Sequence, residues 1–276
     1  MPGTLYLVGT PIGNLGDISP RALDTLREAD FIAAEDTRVT AKLLNHFEIR
    51  KPLVSYYEHN RASSGARILE RLLAGENCAL VTDAGMPAIS DPGEDIVRQC
   101  AEAGVTVLAA PGPSAVVTAL ALSGLPTGRF TFEGFLSVTK KSRFEHLESL
   151  RGEKRTMVFY EAPHKLLRTL QDMLSAFGDR RVALCREMTK LHEECIRTTL
   201  SGALKLYETE PPRGEYVLVV AGAPEAAEPP ASPEEALAVV EEYRATGHSL
   251  REACRLAAEE TGYTKNELYA LAVRNG

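Results

Sequence analysis

The first half of the chain repeats one unit. A short apolar run is followed by a turn of small residues and then by an amphipathic stretch. A chain with that rhythm buries its strands only in a sheet covered on both faces. The spacing predicts strands over 4–8, 31–34, 53–56, 78–82 and 105–109. A helix is predicted from Pro20 to about Ala29, with Ser19 as N-cap and Pro20 at the first helical position. Further helices are predicted over 39–47, 62–74 and 94–103, the last two stopping at Gly75 and Gly104. The expected result is a mainly parallel sheet in a domain spanning 1–114.

A helix over 114–123 leads out of that domain. Strands at 130–135, 156–160, 181–185 and 216–221, with helices at 140–150, 164–176 and 202–207, read as an α+β domain over 115–222. The stretch GAPEAAEPPA has linker composition, which sets a linker at 223–231. Beyond it, SPEE at 232–235, SLRE at 249–252 and TKNE at 264–267 each match the capping box. The last two helices, joined around Gly262, resemble a helix-turn-helix. The segment 232–276 carries 5 basic and 8 acidic residues, so packing or dimer contacts are favoured over RNA contact for it.

A net charge of −7 argues against a generic nucleic-acid coat. Residues 1–128 hold 10 basic and 15 acidic groups, whereas 129–215 hold 16 and 13. Any RNA-facing surface is therefore expected in the middle segment. Five cysteines without a CxxC pair fit reduced thiols in cytosol. Six scattered histidines lack metal-ligand spacing, so no metal is expected. No apolar run is long enough for a membrane span. MPGTLYLVGTPIGN has no basic leader, and its apolar run breaks at Gly9 and Pro11; it reads as no signal peptide. A cytoplasmic protein with no membrane partner is the expectation.

In an open parallel sheet, ligands sit beyond the carboxyl ends of the strands. After the first strand comes GTPIGNLG at 9–16, which is neither a GxGxxG fingerprint nor a P-loop. That argues against nicotinamide and ATP enzymes. After the fourth comes DAGMPAISDPG at 83–93, long and rich in small residues, as functional loops often are. Asp83 at its strand tip suits an ammonium partner, and Asp91 before Pro92 suits a cap or turn. After the fifth comes APGPSA at 110–115, with Ser114 at a helix N-terminus that favours a carboxylate. Together these suit an amino-acid-like ligand tail, while a plain surface turn remains the alternative for any one loop.

The segments VGTPIGNLGD, IAAEDTR, VTDAGMPAISDPG, PGPSAVVTALALSGLP, FYEAPHK and GEYVLVVAG, in this order, resemble the ribosomal RNA small subunit methyltransferase I family of the tetrapyrrole methylase superfamily. The likeness runs over nearly the whole chain, including KNELYALA near the C-terminus. It implies a two-domain α/β, tetrapyrrole-methylase-like (class III methyltransferase) fold with a small C-terminal helical segment. It also implies S-adenosyl-L-methionine in the cleft between the domains and a homodimer. The implied reaction is 2′-O-methylation of a cytidine in the decoding region of 16S ribosomal RNA, on the RNA or the 30S subunit. By resemblance, Thr10 and Pro11 line the cofactor cleft. Asp83, Ala84, Gly85 and Ile89 contact the methionine part and ribose, and Ser114 and Ala115 sit beside the methionine tail. Tyr160, Glu161 and Leu184 approach the adenine. The family form has Thr where this chain has Met86, which removes a hydroxyl there.

Methyl transfer to a ribose 2′-oxygen needs in-line alignment, and a base or a cation that stabilises developing alkoxide would help. The candidate clusters are EDTR at 35–38 and REMTK at 186–190. Asp36 or Glu187 is the candidate base, and Arg38 or Lys190 the candidate charge stabiliser. A helix cap or an ordinary ion pair is the competing reading for each carboxylate. His59 and Asn60 are further cleft candidates, against a solvated loop. Lys140, Lys141 and Arg143 are the expected phosphate contacts, against a solvated helix start. The rival functions are methylation of a tetrapyrrole or a protein side chain on the same fold, and a non-catalytic ribosome-assembly binding module.

Overall fold

The computed structural model describes residues 1–209, 211–224 and 232–275. Residues 225–231 of the expected linker lie outside the described residues. The chain divides into two compact units, 1–151 with 155–221, and 152–154 with 222–276.

The first unit begins with five parallel strands: β1 (Thr4–Val8), β2 (Phe31–Ala34), β3 (Leu53–Ser55), β4 (Cys78–Val81) and β5 (Thr106–Ala110). Their order across the sheet is β3-β2-β4-β1-β5. Helices α1 (Pro20–Glu28), α2 (Thr37–His46), α3 (Arg61–Leu73) and α4 (Glu94–Glu102) make the crossovers. Side chains alternate across a strand, so each strand feeds two cores. Val8, Ile32, Ala34, Ala79 and Val81 pack with Ala22, Leu26 and Leu44 of α1 and α2. Leu5, Phe31, Ala33 and Leu80 pack with Ile68, Leu72, Ile96 and Cys100 of α3 and α4. Ser19 caps α1 by accepting from the Ala22 amide, as its sequence position predicts.

After α5 (Ala115–Ser123), a second sheet forms from β6 (Phe130–Phe135), β7 (Thr156–Glu161), β8 (Arg181–Arg186), β9 (Glu194–Thr199) and β10 (Tyr216–Val220). The order is β6-β7-β10-β8-β9, with β6 and β7 parallel and the other neighbours antiparallel. One face packs on α6 (Lys140–Ser149), α7 (Leu166–Phe177) and α8 (Leu200–Thr209). The other receives Val116, Ala119 and Leu120 of α5 against Val158, Ala183, Cys185, Val217 and Val219. Strand β9 departs from the sequence expectation, which has no strand there. Its segment ECIRTT alternates weakly, because an edge strand buries little and keeps Glu194 and Arg197 outside. It also brings Cys195 beside Cys185, with the two sulfurs 3.2 Å apart.

The second unit carries α9 (Pro233–Ala245), α10 (Leu250–Thr261) and α11 (Lys265–Asn275) around Ala236, Val240, Ala253, Cys254, Ala257 and Leu268. Ser232 and Glu235 complete a capping box, and Thr264 and Glu267 do the same. Ser249 accepts from the Glu252 amide. Gly262 takes φ 72° to end α10, a left-handed turn that glycine makes without strain.

Candidate active site

Because β4, β1 and β5 are neighbours, the three chemically suggestive loops emerge side by side. They are also tied together. The Thr10 amide donates to the Gly85 carbonyl at 2.9 Å, and the Gly85 amide returns a bond at 3.1 Å. The Thr10 hydroxyl donates to the Thr82 carbonyl at 3.1 Å. Gly9 and Gly112 meet backbone to backbone: a Cβ on Gly9 would fall 2.6 Å from the Gly112 nitrogen, and one on Gly112 would fall 2.8 Å from the Gly9 oxygen. The loop after β4 is wound through left-handed residues, with φ 69° at Ala88 and 61° at Ser90, a strained choice for side-chain-bearing residues that functional loops tolerate.

The second sheet supplies the opposite wall. A cavity of about 550 Å³ opens between them, well within the range of small-molecule sites. The strand tips contribute Ile12, Asp83, Ala84, Gly85, Met86, Ile89, Asp91, Ser114 and Ala115. Opposite stand Phe135, Tyr160 and Glu161, then Glu187, Met188 and Lys190 after β8, and Glu215 to Val217 at the start of β10. The Tyr160 ring meets Phe132 and Phe135 edge-on, at centroid distances of 5.0 and 5.4 Å. Gly13 seats the loop after β1 on this wall: a Cβ there would fall 2.6 Å from Lys190 Cγ.

Charge around the cavity is lopsided. Glu35, Asp83, Asp91, Glu161, Glu187 and Glu215 line it against Lys190. Glu35 accepts from the Thr82 hydroxyl at 2.9 Å. Burial pushes the Asp91 carboxyl up to about 6, with Glu35 and Asp83 adding to the shift, and burial also raises Asp83. Burial and nearby Asp91 raise the Tyr160 phenol to about 12, so it stays a hydrogen-bond donor. Lys190 bridges Glu187 and Glu215 at 3.0 Å each. That contact holds the Glu187 carboxyl below its usual range.

Comparison with known proteins places this geometry. Residues 4–203 match the family model for tetrapyrrole (corrin/porphyrin) methylases, and residues 230–276 match the C-terminal helix-turn-helix domain model of the ribosomal RNA small subunit methyltransferase I group. A protein of Synechocystis sp. named ribosomal RNA small subunit methyltransferase I is 47% identical over 98% of both chains. One of the same name from Halalkalibacterium halodurans is 49% identical over 97% of this chain and 93% of its own. This chain belongs to the ribosomal RNA small subunit methyltransferase I family. The uroporphyrin-III C-methyltransferase of Thermus thermophilus, solved with S-adenosyl homocysteine, shares the fold at TM-score 0.55 and 20% identity, over 79% of this chain and 97% of its own.

In this methyltransferase the structure brings Asp83, Ala84, Gly85, Ile89, Ser114, Ala115, Tyr160, Glu161, Glu187 and Lys190 to one cavity. Other expected residues lie elsewhere. Thr10 and Pro11 line a separate cavity of about 240 Å³ with Val39, Thr40 and Lys42, which shares Asp83 with the main one. Leu184 is wholly buried in the helix-facing core of the second sheet, because alternation on β8 turns Ala183 and Cys185, not Leu184, toward α5. Asp36 caps α2 through the Arg38 amide at 2.8 Å and is clamped by the Arg38 guanidinium at 2.6 and 3.0 Å. The clamp pulls its carboxyl far below the usual range and makes it a poor proton acceptor. The Arg38 side chain is 86% exposed and does not line the cavity, and nor does His59 or Asn60. Arg143 is 3% exposed and bound to Asp172 at 2.7 Å, so it is no surface phosphate contact. Lys140 and Lys141 remain exposed at the start of α6. Beyond the expected residues the cavity gains others, among them Asp91, Phe135, Met188 and Glu215. The Asp-Pro step around Asp91 signals a turn as readily as a site, and Phe135 is brought in only by the second sheet.

The Gly112→Ala variant is expected to lose about 1–3 kcal/mol of stability, because its Cβ collides with backbone rather than with a movable side chain. Chemical denaturation reads the loss, and a wild-type midpoint would contradict the interlock.

Proposed function

We propose that the protein transfers a methyl group from S-adenosylmethionine to the 2′-oxygen of a cytidine in the decoding region of 16S ribosomal RNA. The single observation that carries the reading is the main cavity: it is sized for a nucleoside, has aromatic rings at one end, and carries six carboxylates against one ammonium. Such a lining favours a cationic ligand. S-adenosylmethionine supplies an activated methyl on a positively charged sulfur. Ser114, at the N-cap of α5 with no side-chain bond of its own to the helix, leaves first-turn amides for the ligand carboxylate. Asp83 and Asp91 face its positive groups. Tyr160 and Phe135 offer faces for the base. Lys190, fixed between two carboxylates, is the cation placed to stabilise developing negative charge on the ribose oxygen. Of the carboxylates, Asp91 replaces Asp36 as the candidate proton acceptor, since burial raises it to about 6 while Arg38 holds Asp36 low.

The substrate is the RNA or the assembled small subunit in the cytoplasm, with Lys140 and Lys141 touching phosphates. A homodimer is supported by the edge strand β5, where Leu108 is 49% exposed, and by α5, which is apolar all round and leaves Val117 54% exposed. Sedimentation should therefore show a dimer at micromolar concentration, and a monomer would remove this part of the reading.

The test of the reaction is mass mapping of methylated ribose in small-subunit RNA incubated with methyl donor, beside a porphyrinoid as competing acceptor. One new 2′-O-methylcytidine is expected, with a raised KM when Lys140 and Lys141 are both changed to Glu. Methylation of the porphyrinoid alone would overturn the proposal. Turnover is also expected to fall as pH drops through about 6, where Asp91 takes up its proton. Asp91→Asn should abolish that limb. Donor affinity followed in parallel separates a charge that holds the donor from one that accepts the proton. An unchanged acid limb in the variant would remove Asp91 from both roles.

A further inference from the structure

Behind the wall formed by Glu161 lies a third, much smaller cavity of about 60 Å³. It is framed by Ser137, Val138 and Arg143 on one side, and by Lys165, Arg168 and Thr169 at the start of α7 on the other. Arg143 is 3% exposed. Its Nε donates to Asp172 at 2.7 Å, and Nη1 donates to the carbonyls of Ser137 and Val138 at 3.0 and 3.1 Å. Its Nη2 is buried with no hydrogen-bond partner among the described residues. A guanidinium has five N–H bonds to place, and here two are unspent. An unspent buried donor is destabilising unless something accepts from it.

The carboxylate that lines this cavity, Glu161, and the one behind Arg143, Asp172, are already committed. Asp172 holds Arg143, and Glu161 accepts from the Ala162 amide at 2.8 Å and from the Thr169 hydroxyl at 2.5 Å. Arg143, Lys165 and Arg168 against Asp172 and Glu161 leave one net positive charge, which one phosphodiester balances. Helix α7 continues directly from a short 3-10 turn over Pro163–Lys165, whose Pro163 carbonyl accepts from the Leu166 amide, so the positive charge at the cavity comes from its side chains. The volume suits one phosphate group or about two waters.

We propose that this cavity is a phosphate site, which seats one backbone phosphate of the RNA next to the nucleotide whose ribose enters the main cavity. The shared Glu161 wall is what puts the two ligands side by side. The inference rests on the RNA reading above and adds to it a fixed register for the substrate strand.

The test is the double variant Lys165→Ala with Arg168→Ala, both residues lying outside the buried core. KM for small subunits should rise about tenfold, as expected for a lost charged contact. Turnover at saturation and donor affinity should stay within about twofold. The slope of log affinity for the RNA against log salt should shrink by about one contact's worth. Arg143→Lys, checked by thermal melting, should act the same way, since it keeps a cation for Asp172 but removes the unspent donors. Inorganic phosphate should compete with RNA on the wild type and not on the double variant. An unchanged KM and salt slope in the double variant would overturn the site while leaving the methylation reading intact. Phosphate competition lost with RNA kinetics unchanged would make it an anion site that RNA does not use, which also overturns the proposal. If the wild type methylates no RNA, the underlying reading fails first; calorimetry with inorganic phosphate then judges the cavity as an anion site by itself, and no binding would overturn that too.

Discussion

The contact on which the rest depends is the backbone interlock of three strand tips. The Thr10–Gly85 bridge and the Gly9–Gly112 approach join the loops after β1, β4 and β5 into one floor. Two properties of the chain make that possible. The sheet order sets β1 between β4 and β5, so the loops start within a strand spacing or two of each other. Glycine at positions 9 and 112 then removes the Cβ atoms that would hold them apart. Loops of this length are usually free to move, whereas here the cavity floor inherits the rigidity of a buried parallel sheet.

The opposite wall owes its placement to a different element. Helix α5 leaves the strand-tip loop at Ser114 and packs directly on the far sheet, so the floor and the wall share one helix. Gly13 against Lys190 adds a second point of contact. With both sides fixed, proton affinities separate according to partners. Asp36 and Glu187 each hold a cation at about hydrogen-bond distance and are kept ionised. Asp91, partly buried and with no cation beside it among the described residues, is pushed the other way. Three carboxylates, two of them on the cavity wall, thus differ in chemistry without differing in kind.

The first sheet is legible in the chain because its strands are buried on both faces and read as continuous apolar runs, punctuated by capped helices. The strand tips are legible for the same reason: the βαβ rhythm says where each strand ends. What resists reading is whatever the second sheet decides. Strand β9 is an edge with little to bury, so its alternation is faint. Leu184 shows how a motif gives position without direction, since one step along β8 separates the core from the cavity side. Arg143 looks like a surface cation beside Lys140 and Lys141, yet α6 turns it inward onto Asp172, which is 29 residues away. No local pattern announces a partner at that separation.

That last case changes what the charge count means. Residues 129–215 hold three more basic than acidic groups, but several of those cations are spent inside the protein. Arg143 is taken by Asp172 and two carbonyls, and Arg186 by Glu194 at 2.6 Å. Lys190 is taken by two carboxylates, and Arg180 donates to the Arg151 and Ala221 carbonyls at 2.5 and 3.5 Å. A broad positive field is therefore a poor account of how an acidic protein would hold RNA. A few well-placed contacts are the better account: exposed lysines at the start of α6, and a cation cluster one wall away from the main cavity. Recognition of that kind depends on strand geometry more than on net charge, which is what the methylation proposed above, at a single ribose oxygen, would require.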